Sequence, residues 1–161
     1  MTVTEYNTAV EEHADALFRF IRSHLRDEEQ ARDIVQESYT KLWLKVDEVN
    51  ADKARSYLFT TGYRTMIDWI RREKKNADFE GVDPSAYTSR QAEAGLNEVL
   101  HEALARLPEV QRTVVLLRDY EGYTYEEIAE ITGLSDAQVK VYIYRARVAL
   151  KAYLVSIDYV I

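Results

Sequence analysis

Two helix-start patterns stand close together near the C-terminal end of the chain, Thr124-x-x-Glu127 and Ser135-x-x-Gln138, with Gly133 between them. In each, a hydroxyl can accept from the backbone N–H three residues on, while the Glu or Gln side chain reaches back to the cap. Gly133 can adopt the left-handed conformation that stops the first helix. Ile128, Ala129 and Ile131 form the inward side of that helix. Two capped helices joined by so short a turn must cross steeply, as in a helix-turn-helix. This pair of signals restricts the fold more than anything else in the sequence.

The second of these helices carries a core stripe, Val139, Ile143, Ala146, Leu150 and Leu154, at helical steps of three and four. With that stripe buried, Lys140, Val141, Tyr144, Arg145, Arg147 and Lys151 lie on the other faces. No acidic residue occurs from Ala137 to Ile157, although the 161-residue chain has a net charge of −7. A helix-turn-helix lays the N-terminal part of its second helix in the DNA major groove. Lys140 and Arg145 then suit phosphates or guanine edges, and Val141 suits a thymine methyl. The alternative is a solvated helix whose late basic residues offset its own dipole.

The front of the chain is also helical. Val10, Ala14, Leu17, Phe18, Ile21 and Leu25 make a one-sided helix between Tyr6 and Leu25. Asp27 can cap a second helix, with the stripe Ala31, Ile34, Val35, Tyr39, Leu42, Trp43 and Val46. After a break at Asn50–Asp52, a third helix runs to about Lys75, with Tyr57, Leu58, Phe59, Tyr63, Met66, Ile67 and Ile70 apolar. Residues 76–96 lose the periodicity and collect Gly and Pro, the composition of a flexible linker. Periodicity returns at Leu96, and Pro108 suits the first turn of a further helix with Val110, Val114, Val115 and Leu117 inward. The expected fold is all-α: two small helical domains, 1–75 and 97–161, joined by the 76–96 linker, the C-terminal one holding the helix-turn-helix.

With no Cys in the chain, disulfides and thiolate metal sites are excluded. The N-terminal segment lacks the basic and apolar regions of a secretion signal, and no apolar run approaches the length of a membrane span. A cytoplasmic protein without membrane insertion, monomeric when free, is expected. Glu98-x-x-His101 has the spacing of half a helical di-iron site, but no second such motif exists. His13, His24 and His101 share no ligand spacing. Neither an enzyme nor a cofactor or metal site is expected.

The segment GYTYEEIAEITGLSDAQVKVYIYRARVALK resembles region four of the extracytoplasmic-function (ECF) sigma factors of bacterial RNA polymerase. ARDIVQESYTKLW resembles their region 2.2, ARSYLFTTGYRTMIDWIRREK the helix that follows it, and LPEVQRTVVLLRDYEG the approach to the helix-turn-helix. The motifs occur in the family's order over nearly the whole chain. The resemblance implies a non-catalytic transcription initiation subunit that binds core RNA polymerase, directs it to promoter DNA and helps open it. It also implies an anti-sigma factor partner, often membrane-tethered in the family.

Residue by residue, the resemblance places core polymerase binding at Asp33, Gln36, Glu37 and Lys41, which share one helix face; a plain solvated face is the alternative. It places minus-ten contacts on the third helix, at Arg64, Asp68, Trp69, Arg71 and Arg72. Trp69 could equally brace the helix, and Tyr63 could be core. It places minus-thirty-five contacts at Ser135, Lys140, Val141, Tyr142, Tyr144, Arg145 and Arg147. Two departures stand out. Tyr63-Arg64 occupies the place of a common Arg-Asn pair, and Val139-Lys140-Val141-Tyr142 that of a common Val-Lys-Ser/Asn-Arg. A stand-alone helix-turn-helix regulator is the competing reading, but it leaves the front half without a task.

Overall fold

A computed structural model describes residues 1–80 and 96–158. The chain divides into two compact units, Met1–Thr88 and Ser89–Ile161.

In the first unit, α1 (Val3–Arg22), α2 (Glu28–Leu44) and α3 (Ala54–Glu80) pack on one another. Helix α1 begins earlier than its apolar periodicity indicates, because Thr2 and Glu5 form a capping box. The Thr2 amide donates to Glu5 Oε1 at 2.9 Å, which holds that carboxyl below its ordinary pKa. Asp27 caps α2 through Oδ1, which accepts from the amides of Glu29 and Gln30 at 3.0 and 3.2 Å. A 3-10 turn, Ala51–Lys53, leads into α3.

Leu17, Ile21, Ile34, Leu42, Leu58, Phe59 and Met66 form the buried core. Gly62 of α3 is buried against side chains of α1 and α2. A Cβ there would lie 2.9 Å from Leu17 Cδ1 and 3.3 Å from Ser38 Oγ, so any larger residue must push these side chains aside.

Two expectations change here. Helix α3 continues to Glu80, five residues past the point where apolar periodicity ends, and Ala77 is still buried. Trp43, placed in the core stripe by spacing, is half-exposed. It lies one residue beyond the buried Leu42, about 100° further round the helix, and meets the Tyr6 ring edge-on at 5.0 Å.

The second unit contains α4 (Leu96–Ala105), α5 (Glu109–Val115), a π turn (Leu116–Tyr120), α6 (Tyr125–Thr132) and α7 (Asp136–Asp158). Pro108 is the residue capping α5, one place before its first turn. The buried Arg112 side chain closes the end of α4. Its Nε donates to Leu104 O at 3.0 Å and its Nη2 to Leu107 O at 3.0 Å and Ala105 O at 3.3 Å. Burial lowers the guanidinium pKa, and the three carbonyls replace the water it has lost.

The π turn widens the helix by one residue, with the Glu121 amide donating to Leu116 O at 3.0 Å. Thr124 and Glu127 form both bonds of the capping box of α6. Gly133 ends α6 at φ 79°, in the left-handed region. Ser135 and Gln138 form both bonds of the second box. Val139, Ile143 and Ala146 are buried, while Leu150 and Leu154 are half-buried as α7 leaves the unit's core. The expected flexible linker lies mostly in residues 81–95, outside the described residues.

Candidate nucleic-acid interface

The helix-turn-helix presents one face of α7 to solvent. Lys140, Val141, Tyr144, Arg145 and Arg147 are exposed, Tyr144 at 70%; Tyr142 is half-buried, with the Arg145 guanidinium 6.0 Å from its ring centre. Ser135 spends its hydroxyl on the Gln138 amide at 3.1 Å, so its first task here is capping.

Arg147 is not a free cation. It grips Asp119 at two points, Nε to Oδ2 at 3.0 Å and Nη2 to Oδ1 at 2.6 Å, and these bonds raise its pKa. The π turn delivers Asp119 to this position.

A second cluster joins α6 to α7. The Tyr125 ring lies under two cations, Arg118 at 4.7 Å and Lys140 at 5.7 Å. Arg118 also donates from Nη1 to Tyr123 O at 2.9 Å. Arg118, Asp119 and Tyr125 were not singled out from the sequence, because periodicity along one helix says nothing of contacts between elements.

In the first unit, the residues expected for two different partners line one groove. Glu37 and Lys41 on α2 face Thr65, Asp68, Arg71 and Arg72 on α3 around an open volume of about 460 Å³. Lys41 Nζ lies 3.4 Å from Glu37 Oε1 and donates to Thr65 Oγ1 at 3.1 Å, tying the two walls together. Asp33 and Gln36 are exposed on α2 outside this groove, and Arg64 is exposed on α3. Trp69 and Tyr63 are half-buried. Among the described residues there is no group of three or more His, Cys, Asp or Glu side chains able to hold a metal ion. No helix among them is long and apolar enough to cross a membrane.

Comparison with known proteins matches both units. Residues 9–76 match the family Sigma-70 region 2, and residues 97–150 match Sigma-70, region 4. RNA polymerase sigma factor SigV of Bacillus subtilis (strain 168) is 32% identical over 152 residues, covering 94% of this chain and 92% of that protein. The chain belongs to the ECF sigma factors.

ECF RNA polymerase sigma factor SigL of Mycobacterium tuberculosis (strain ATCC 25618 / H37Rv) is 30% identical over 152 residues, covering 88% of this chain and 84% of its own length. The fold agrees with that of the sigma factor RpoE from Bartonella quintana, solved in complex with the anti-sigma factor NepR. That match has a TM-score of 0.83 at 24% identity and covers 94% of this chain and 98% of that one. This ECF sigma factor is an alternative sigma factor that directs RNA polymerase to promoters.

Proposed function

We propose that the exposed N-terminal face of α7 reads the minus-thirty-five element, with Lys140 and Arg145 on phosphates or guanine edges and Val141, Tyr142 and Tyr144 beside them. The observation that carries this is the doubly capped α6–α7 corner, which turns that face to solvent while Val139, Ile143 and Ala146 anchor the helix. Cations over an exposed helix N-terminal half suit the major groove. Ser135 acts as cap and Arg147 as a positioning residue, since both side chains are already engaged.

In the first unit the α3 face with Arg64, Asp68, Trp69, Arg71 and Arg72 takes the minus-ten element, and Asp33, Gln36, Glu37 and Lys41 bind core polymerase. The shared α2–α3 groove gives these two tasks a common wall, so polymerase binding and promoter contact are coupled through Lys41 and Thr65. Residues 1–80 act as sigma region 2 and 96–161 as region 4, the linker being shortened to 81–95 because α3 runs on to Glu80. The chain works in the cytoplasm as a non-catalytic subunit, held in check by an anti-sigma factor of the kind the family resemblance implies. Its net charge of −7 leaves phosphate attraction to local patches, so the isolated chain binds DNA weakly and needs polymerase.

The test adds the purified chain to core polymerase with a promoter library and sequences the transcripts. Promoter-selective initiation that falls with Lys140→Ala or Arg145→Ala is expected. Transcription with no promoter selectivity, or tight promoter-selective binding by the chain alone, would overturn the assignment.

A further inference from the structure

Helix α3 ends later than its apolar repeat, and that changes the meaning of two lysines. From Arg71 to Asn76 the chain reads Arg-Arg-Glu-Lys-Lys-Asn, four cations to one carboxylate. Lys74 and Lys75 are exposed, and among the described residues neither makes an ion pair or a side-chain hydrogen bond. Basic residues in the last turn of a helix offset its dipole. That explanation would serve if α3 stopped at Lys75, but the helix runs to Glu80 and its last turn holds no basic residue. Both lysines stand more than a turn inside the helix, where the dipole gives them no task.

Their placement gives them one. At about 3.6 residues per turn, Lys75 falls roughly 20° from Arg64 and 40° from Arg71 around α3. It therefore continues the face proposed for the minus-ten element, with Lys74 on its flank. At about 1.5 Å per residue, Lys75 stands roughly 16.5 Å further along the axis than Arg64. That is the span of about five phosphate steps of 3.4 Å. From this end of α3 the chain continues to the unit that takes the minus-thirty-five element, so the lysines lie on the upstream side. No aromatic side chain occurs from Arg71 to Ala77 on which an unstacked base could rest. Lysine ammoniums serve phosphates as point charges and carry no base preference.

We infer that α3 continues past the minus-ten element as a phosphate track, with Lys74 and Lys75 on the backbone of the double-stranded spacer just upstream. The track holds the duplex in position without reading its sequence. The inference rests on the minus-ten reading of α3 and extends it by two residues and a stretch of DNA that reading does not include.

The test titrates holoenzyme–promoter binding against salt. Lys74→Ala/Lys75→Ala should lower the slope of log affinity against log salt by about 1.8, and Lys75→Ala alone by about 0.9, whatever the spacer sequence. Neither should move the thermal midpoint, since both positions are exposed and alanine favours a helix. Uncharged methylphosphonates in the spacer next to the minus-ten element should weaken binding of the unmutated holoenzyme and leave the double variant indifferent. Arg26→Ala, which removes an exposed cation between α1 and α2, should leave the slope alone. An unchanged slope in the double variant, an equal fall with Arg26→Ala, or methylphosphonates that weaken both forms alike would overturn the inference. Arg71→Ala separates it from the reading beneath it. A slope lowered by Arg71→Ala but not by the lysine variants overturns the spacer track alone, whereas a slope moved by none of them overturns the minus-ten reading as well.

Discussion

Arg147 on α7 and Asp119 on the π turn form a two-point ion pair, 2.6 and 3.0 Å, between residues 28 apart in sequence. The pair ties α7 to the element that precedes the helix-turn-helix. It also commits a basic residue of the α7 cationic set to the protein rather than to DNA. Salt dependence separates the two kinds of cation, because each phosphate neutralised adds about 0.9 to the slope of log affinity against log salt. Arg147→Ala should leave that slope unchanged in holoenzyme–promoter titrations, whereas Lys140→Ala and Arg145→Ala should each lower it by about 0.9. A double-mutant cycle of Asp119→Ala with Arg147→Ala should give a coupling of about 0.5–1 kcal/mol, the range of an exposed pair with good geometry.

Arg112 makes a different kind of bond set. The residue is 6% exposed, and its guanidinium is satisfied by three main-chain carbonyls at the end of α4. Arg112→Ala strands those carbonyls in the interior and should cost about 3 kcal/mol. Lysine keeps the charge but not the fork, so Arg112→Lys should recover less than half of the loss. Hydrogen exchange reads the outcome directly, with protection falling in α4, α5 and α7.

Gly62 sets two effects of opposite sign against each other. Alanine in mid-helix gains about 1 kcal/mol of propensity, but its Cβ would stand 2.9 Å from Leu17 Cδ1, on a fully buried side chain. Overpacking of that kind costs about 1–3 kcal/mol and prevails. Gly62→Ala should therefore lower stability by about 1 kcal/mol in urea unfolding, and the loss should shrink in a Leu17→Val background. An additive double variant would show that Leu17 is not what the methyl meets.

The contrast between these residues explains what was legible in the sequence. Thr124, Glu127, Gly133, Ser135 and Gln138 act within a few residues of themselves, so the spacing alone places the α6–α7 corner. The core stripes were readable for the same reason: Leu17, Ile34, Met66 and Ile143 obey a helical period. The end of α3 was not, because Asn76–Glu80 stay helical without an apolar repeat. The groove shared by Glu37, Lys41, Asp68, Arg71 and Arg72, the Tyr125 cluster and the Arg147–Asp119 pair all join different elements. Such contacts depend on how helices pack, which no single-helix pattern encodes. The ECF resemblance supplied the residues proposed for the minus-ten element and for polymerase, but not the groove that some of them share.

Val141 offers the sharpest test of promoter choice. It is half-exposed in the first turns of α7, where the family commonly has Ser or Asn. A valine contributes a methyl surface and no donor or acceptor, so it favours a thymine methyl over a hydrogen-bonded base edge. Val141→Ser removes little buried surface and should change stability by less than about 0.5 kcal/mol. It should nevertheless shift the preferred base at one minus-thirty-five position, by the roughly tenfold that a 1.4 kcal/mol contact supplies. Transcript sequencing from a randomised minus-thirty-five library, with the holoenzyme of each form, measures that shift. A change confined to one position would locate Val141 at a base edge; an unchanged preference would leave Tyr142, Tyr144 and Arg145 to read the element without it.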